Sequence, residues 1–167
     1  MPATLDAASS DSRIHIVHAE CKSFDGFEQR DFERMVRLSE EFPGAALIFA
    51  TLLSKLDSYS RKKLGDLALR HRKKRIIGKP FSPIIVLTEV ELCSSWGAPE
   101  CWKDSPIHDE AQRTLFAESR LNVLADMTQR LHLGLPAWSQ WAESQRETRK
   151  KRRLGKSEPI ALKRDEG

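Results

Sequence analysis

Glu20 and Lys22 stand two residues apart at the end of an apolar stretch, residues 13–22. Alternate residues of an extended strand share a face, so this carboxylate and ammonium project together. Charged side chains are seldom buried unless paired, and at the C-terminal edge of a strand they face a cleft instead. Asp6 lies on the far side of the turn-like Ser9-Ser10-Asp11-Ser12. A hairpin about that turn sets Asp6 beside Glu20. Two adjacent carboxylates repel unless a cation lies between them. Magnesium takes one or two carboxylates together with waters and phosphate oxygens, and it activates a bound water. Lys22 is then placed to hold that water or to offset charge developing in the transition state.

These residues must be positioned by regular elements. Residues 13–22 are rich in β-branched residues and read as a strand, with residues 4–8 as the other arm of the hairpin. Asp25 followed three residues on by Glu28 marks a helix start. The helix runs to about Phe42, with Phe32, Met35, Leu38 or Ser39, and Phe42 along one stripe, and Pro43-Gly44 ends it. Residues 45–51 and 84–88 are short apolar runs suited to strands buried on both faces. Between them, residues 57–74 read as a helix with Leu64, Leu67 and Ala68 inward. Strands alternating with helices imply parallel pairing in an α/β domain. A helix is expected over residues 107–133, with Leu121, Leu124, Thr128 and Leu131 as its stripe and Gly134 just past its end. A further helix starts near Ala137.

The chain has 167 residues, of which 40% are apolar and 31% charged, enough apolar material for a folded core. The Lys and Arg surplus gives a net charge of +4, and it is concentrated in two places. Residues 61–75 hold Arg61, Lys62, Lys63, Arg70, Arg72, Lys73, Lys74 and Arg75; residues 146–156 include Arg149, Lys150, Lys151, Arg152 and Arg153. Such clusters neutralise phosphates and release counterions, although a solvated helix face has the same composition. No apolar run is long enough for a membrane span, and the N-terminus lacks the pattern of a secretory signal. The three cysteines form no C-x-x-C pair, which argues against a disulfide scaffold and for a cytoplasmic protein.

Asp6, the turn, and Ala19-Glu20-Cys21-Lys22-Ser23 resemble the D…(D/E)-x-K signature of the PD-(D/E)xK, or restriction-endonuclease-like, nuclease superfamily. Residues 30–35, 42–51 and 83–88 resemble the helix and two strands that follow it, so the likeness covers about residues 5–92. It implies a mixed sheet with flanking helices and metal-dependent hydrolysis of DNA phosphodiester bonds. Asp6, Glu20 and the Cys21 carbonyl would ligate Mg²⁺ or Mn²⁺, and Lys22 would position the water. Two features depart from the family. Leu5 stands where the family has proline, and only five residues precede Asp6, where the family usually has a helix. Either that helix is missing, or a second copy or another chain supplies it, or the sequence is a fragment. The alternative is a nuclease-fold module that binds nucleic acid or a protein without cleaving.

The expected organisation is a restriction-endonuclease-like α/β core over residues 1–106, a helical basic extension over 107–156 and a disordered tail over 157–167. His15 and His18 flank the motif and are read as packing residues. Cys21 points to the opposite face from Glu20 and is read as a small buried hydrophobe. Cys93, Cys101 and His108 match no common zinc spacing. Trp96, Trp102, Trp138 and Trp141 are read as packing or interface anchors, the last two at helical spacing.

Overall fold

The computed structural model describes residues 16–93 and 120–154. Strand β1 (Val17–Lys22) leads into helix α1 (Gln29–Glu41), strand β2 (Ala46–Thr51), helix α2 (Ser58–Ile76) and strand β3 (Ile84–Leu87). A single-turn helix α3 (Glu89–Leu92) follows. Helix α4 (Arg120–Thr128) then passes into a π-helical turn at Gln129–Leu133, and helix α5 (Trp138–Leu154) comes last. The three strands form one parallel sheet in the order β1-β2-β3. The chain is therefore α/β, as the alternation of apolar runs and helical stripes implies. The antiparallel arm that would make the sheet mixed, residues 4–8, lies outside the described residues, as do His15, Trp96, Cys101, Trp102, His108 and the tail over 157–167.

The register explains the two layers of packing. Val17 pairs with Ala46 and Glu20 with Phe49, while Leu47 pairs with Ile84 and Phe49 with Val86. Leu47, Phe49, Ile84 and Val86 therefore share one sheet face. They pack against Phe32 and Met35 of α1 and Leu64, Leu67 and Ala68 of α2. Phe49 is fully buried between Phe27 and Phe32, with ring centroids 5.3 and 5.6 Å away. Ala46, Ile48, Ile85 and Leu87 line the other face, against Leu121, Leu124 and Ala125 of α4. Both faces of β2 and β3 are thus covered, which is why these strands read as continuous apolar runs.

Helix boundaries follow local hydrogen bonding. The start of α1 is Glu28 rather than Asp25, because Glu28 and Asp31 form a reciprocal capping box. Asp57 caps α2 by accepting from the Ser60 backbone N–H at 2.8 Å. Gly26 lies against that cap, where a Cβ would collide with the Asp57 carboxylate. Gly134 ends the π turn at φ 68°, a left-handed geometry suited to glycine. In α1, Phe32, Met35 and Ser39 are buried as the stripe requires, whereas Phe42 remains 41% exposed.

The chain divides into two compact units, the first ending at Leu135. Among the described residues, α4 covers the second sheet face. Residues from 136 onward form a separate unit. Within it the Trp138 and Trp141 rings touch, with centroids 5.7 Å apart. Among the described residues, no helix is long and apolar enough to cross a membrane.

Candidate functional site

β1 is an edge strand among the described residues, and its even-numbered side chains face α1. His18, Glu20 and Lys22 pair with Leu47, Phe49 and Thr51 of β2. The first of these packs its ring on Phe42, with centroids 5.2 Å apart. Glu20 and Lys22 lie further along, where the apolar layer gives way to charge. Helix α1 supplies the complementary groups, because Asp31 and Arg34 are one turn apart on the side turned to β1.

Four charges form one network. The Lys22 Nζ donates to Asp31 Oδ2 at 2.9 Å. Arg34 Nη2 bonds Glu20 Oε2 and also lies 3.5 Å from Asp31 Oδ1. The Glu28 backbone N–H donates to Asp31 Oδ2 at 2.8 Å. Burial alone would raise the pKa of Asp31. The Glu28 N–H, Lys22 and Arg34 outweigh that penalty and hold its carboxyl below the ordinary range. The site is graded in exposure. The Asp31 side chain is 3% exposed, those of Glu20 and Lys22 are 11% and 19%, and that of Arg34 is 51%.

Backbone direction adds one more oxygen. Ala46 N donates to Ile16 O at 2.9 Å, and Leu52 N donates to Lys22 O at 3.2 Å. Carbonyls alternate along a strand, so those of even-numbered residues face β2. The Cys21 carbonyl therefore faces the opposite edge of β1, where no described strand pairs with it. The Cys21 side chain lies on the face away from Glu20, but it is exposed, not a buried hydrophobe.

The sequence reading brought Glu20, Cys21 and Lys22 together on one strand end, and the structure places them there. Asp6 lies outside the described residues. Asp31 and Arg34 were missed as members of the site. The signal available was a charged pair at i, i+3 on the face of α1 that follows the motif strand. Among the described residues, no group of three or more His, Cys, Asp or Glu side chains could hold a metal ion. Glu20 and the Cys21 carbonyl are hard oxygen donors of the type magnesium prefers, but the Glu20 carboxylate is engaged by Arg34.

The basic residues of α2 divide by exposure. Arg61, Lys62, Arg70 and Lys73 are exposed, while Lys63, Lys74 and Arg75 are half-buried. Lys63 lies over the Tyr59 ring and Arg75 over the Phe81 ring, at 5.5 and 5.4 Å. Arg72 departs from the expectation of a phosphate-facing cation, because it is 5% exposed. Its Nε donates to Gln129 Oε1 and its Nη2 to Asp126 Oδ1, both at 2.8 Å. Gln129 passes the link on to the Ile84 carbonyl at 2.8 Å. This interior network ties α2 to the π turn and β3. Arg149, Lys150 and Lys151 are exposed on α5, while the side chains of Arg152 and Arg153 lie outside the described residues.

Compared with family models, with curated proteins and with solved structures, the chain finds no match in any of the three.

Proposed function

We propose that this protein is a metal-dependent endonuclease that hydrolyses DNA phosphodiester bonds, built on a restriction-endonuclease-like core. The observation that carries the reading is the shared end of β1. There a carboxylate and an amine lie on one face, and the intervening carbonyl faces the edge with which no described strand pairs. Glu20, the Cys21 carbonyl and Asp6 would hold Mg²⁺ or Mn²⁺. The ion supplies polarisation of a phosphoryl oxygen and a more acidic water. Lys22, steadied by Asp31, orients the attacking water and neutralises charge on the phosphate. The exposed cations of α2 and of α5 supply affinity for the DNA backbone that does not depend on sequence.

A second reading has its own support. Glu20 and Lys22 are both engaged by α1, as they would be in a module that keeps the fold and binds DNA or a protein without cleaving. Incubating supercoiled plasmid with the wild type, Glu20→Ala and Lys22→Ala in the presence of Mg²⁺ separates the two. The nuclease reading expects nicking by the wild type alone, with DNA binding retained in all three. Nicking that is equal in all three, or absent from the wild type, excludes it.

A further inference from the structure

We infer that the groove between α1 and α2 is the contact surface for a second copy of this chain, in a dimer whose two-fold axis runs along the groove.

Each of the two helices links neighbouring strands of the parallel sheet, and both pack on the same sheet face. They therefore run in the same direction. Tyr59 OH donates to Gln29 Oε1 at 3.0 Å, which sets their register at an offset of 30 residues. Between them lies an open groove of about 500 Å³. Its floor is apolar, with Phe32 and Leu67 buried and Val36 half-buried. Its walls are charged, and the offset brings opposite signs to the same level. Glu33 on α1 stands level with Lys63 on α2, and Arg37 lies one residue from the level of Asp66. Glu40 and Arg70 repeat the pattern at the end of the groove, where both are exposed. Among the described residues, no ion pair closes across the groove. An apolar floor inside a charged rim is the anatomy of a protein–protein contact.

The signs of the charges select the occupant. A two-fold axis along the groove lays α1 of one copy over α2 of the other, in the same direction and at the same level. Glu33 then meets the partner's Lys63, Arg37 meets the partner's Asp66 and Glu40 meets the partner's Arg70. Symmetry makes each contact twice. An axis across the groove would instead oppose like charges, Glu33 to the partner's Glu40 and Lys63 to the partner's Arg70. The face is thus complementary to itself in the first arrangement and repulsive in the second. With 13 residues, α1 is about 20 Å long. The contact is therefore small, which makes the dimer weak and reversible. Arg61, Lys62 and Lys73 are not part of the groove, so pairing of copies leaves them open to DNA.

Sedimentation velocity of the full chain over a series of protein concentrations is the test. The samples are the wild type, Arg37→Glu, Asp66→Arg and an equimolar mixture of the two variants, each checked for folding by far-ultraviolet circular dichroism. The wild type should form a reversible dimer. Each variant alone sets like charges against each other at two symmetric contacts, so its dimer should be about tenfold weaker. In the mixture each altered side chain meets an opposite charge on the other variant, and dimerisation should recover. Should either variant fail to fold, Glu33→Lys and Lys63→Glu make the same exchange at the neighbouring contact. A wild type that stays monomeric at every concentration overturns the inference. So does a dimer that neither variant weakens, because its contact lies on another surface. A dimer weakened by both variants and not restored by mixing overturns it as well, since the paired charges would then not belong to different copies.

Discussion

The Lys22 ammonium is held 2.9 Å from the Asp31 carboxylate, so the amine of the strand motif is anchored to a buried acid in the first turn of the helix that follows it. One acid therefore does two structural tasks. It completes the capping box of α1, and it fixes the direction of the Lys22 side chain. The start of the helix and the end of the strand are locked as a unit, and Glu20 lies beside them.

Asp31→Asn should expose this double role. The amide can still accept the Glu28 N–H but cannot neutralise Lys22. Loss of a charge from a largely buried pair should cost about 2–3 kcal/mol, below the range for a fully buried pair because Arg34 and Lys22 keep access to water. Asp31 is depressed relative to its ordinary value of 3.8. A depressed carboxyl stabilises the fold above that value, and the contribution is lost as pH falls below it. Urea unfolding at neutral pH and at pH values below 4 should therefore show the variant and the wild type converging toward acid. A constant gap across that range refutes the charge argument.

His71 gives the opposite side chain and the same direction of pH dependence. It is 3% exposed, and its Nδ1 accepts the Ser82 backbone N–H at 2.8 Å. Burial first, then Lys74 and Arg70, push its pKa from 6.5 down to about 4. Between those values the unfolded chain binds a proton that the folded chain refuses. Stability is therefore complete above pH 6.5 and declines as pH falls toward 4, by about 3 kcal/mol at most. His71→Asn keeps an acceptor and cannot titrate. Its unfolding free energy, followed from pH 7 to pH 4.5, should have a shallower slope than that of the wild type, whatever its absolute level. Parallel slopes disprove the assignment.

The division of α2 into surface and interior cations predicts two separable phenotypes. Lys62→Gln and Arg70→Gln remove exposed charges. Each should lower the slope of log affinity for duplex DNA against log salt by about 1, with little effect on melting temperature. Arg72→Gln should leave that slope unchanged and destabilise the fold by about 3 kcal/mol, because the buried link from α2 to Asp126 and Gln129 is broken. Fluorescence anisotropy across a KCl series, paired with thermal melts, measures both effects. Arg72→Gln altering the salt slope as Lys62→Gln does would contradict the interior placement.

Much of the architecture was legible because it rests on local pattern. The apolar runs at 45–51 and 84–88 can be buried only if both faces of a strand are covered, and intervening helices make their pairing parallel. Glu20 and Lys22 share a face because strand geometry alternates, whatever else the chain does. The end of the helical segment at Gly134 follows from the left-handed backbone that glycine accepts.

Other features depend on which distant residues meet. Arg72 sits in a run of basic residues and looks like its neighbours, yet Asp126 and Gln129 draw it inside from the far end of the chain. Asp25 and Glu28 are both plausible helix starts, and the choice falls to Glu28 because Asp31 answers it across the first turn. The second face of the sheet is covered by α4, a helix more than thirty residues further along the chain than β3. Spacing along the chain determined which charges share a strand end. Only the packing of α1 on β1 decided that each of them meets an opposite charge, since that depends on a helix axis and a sheet face that no short stretch of sequence encodes.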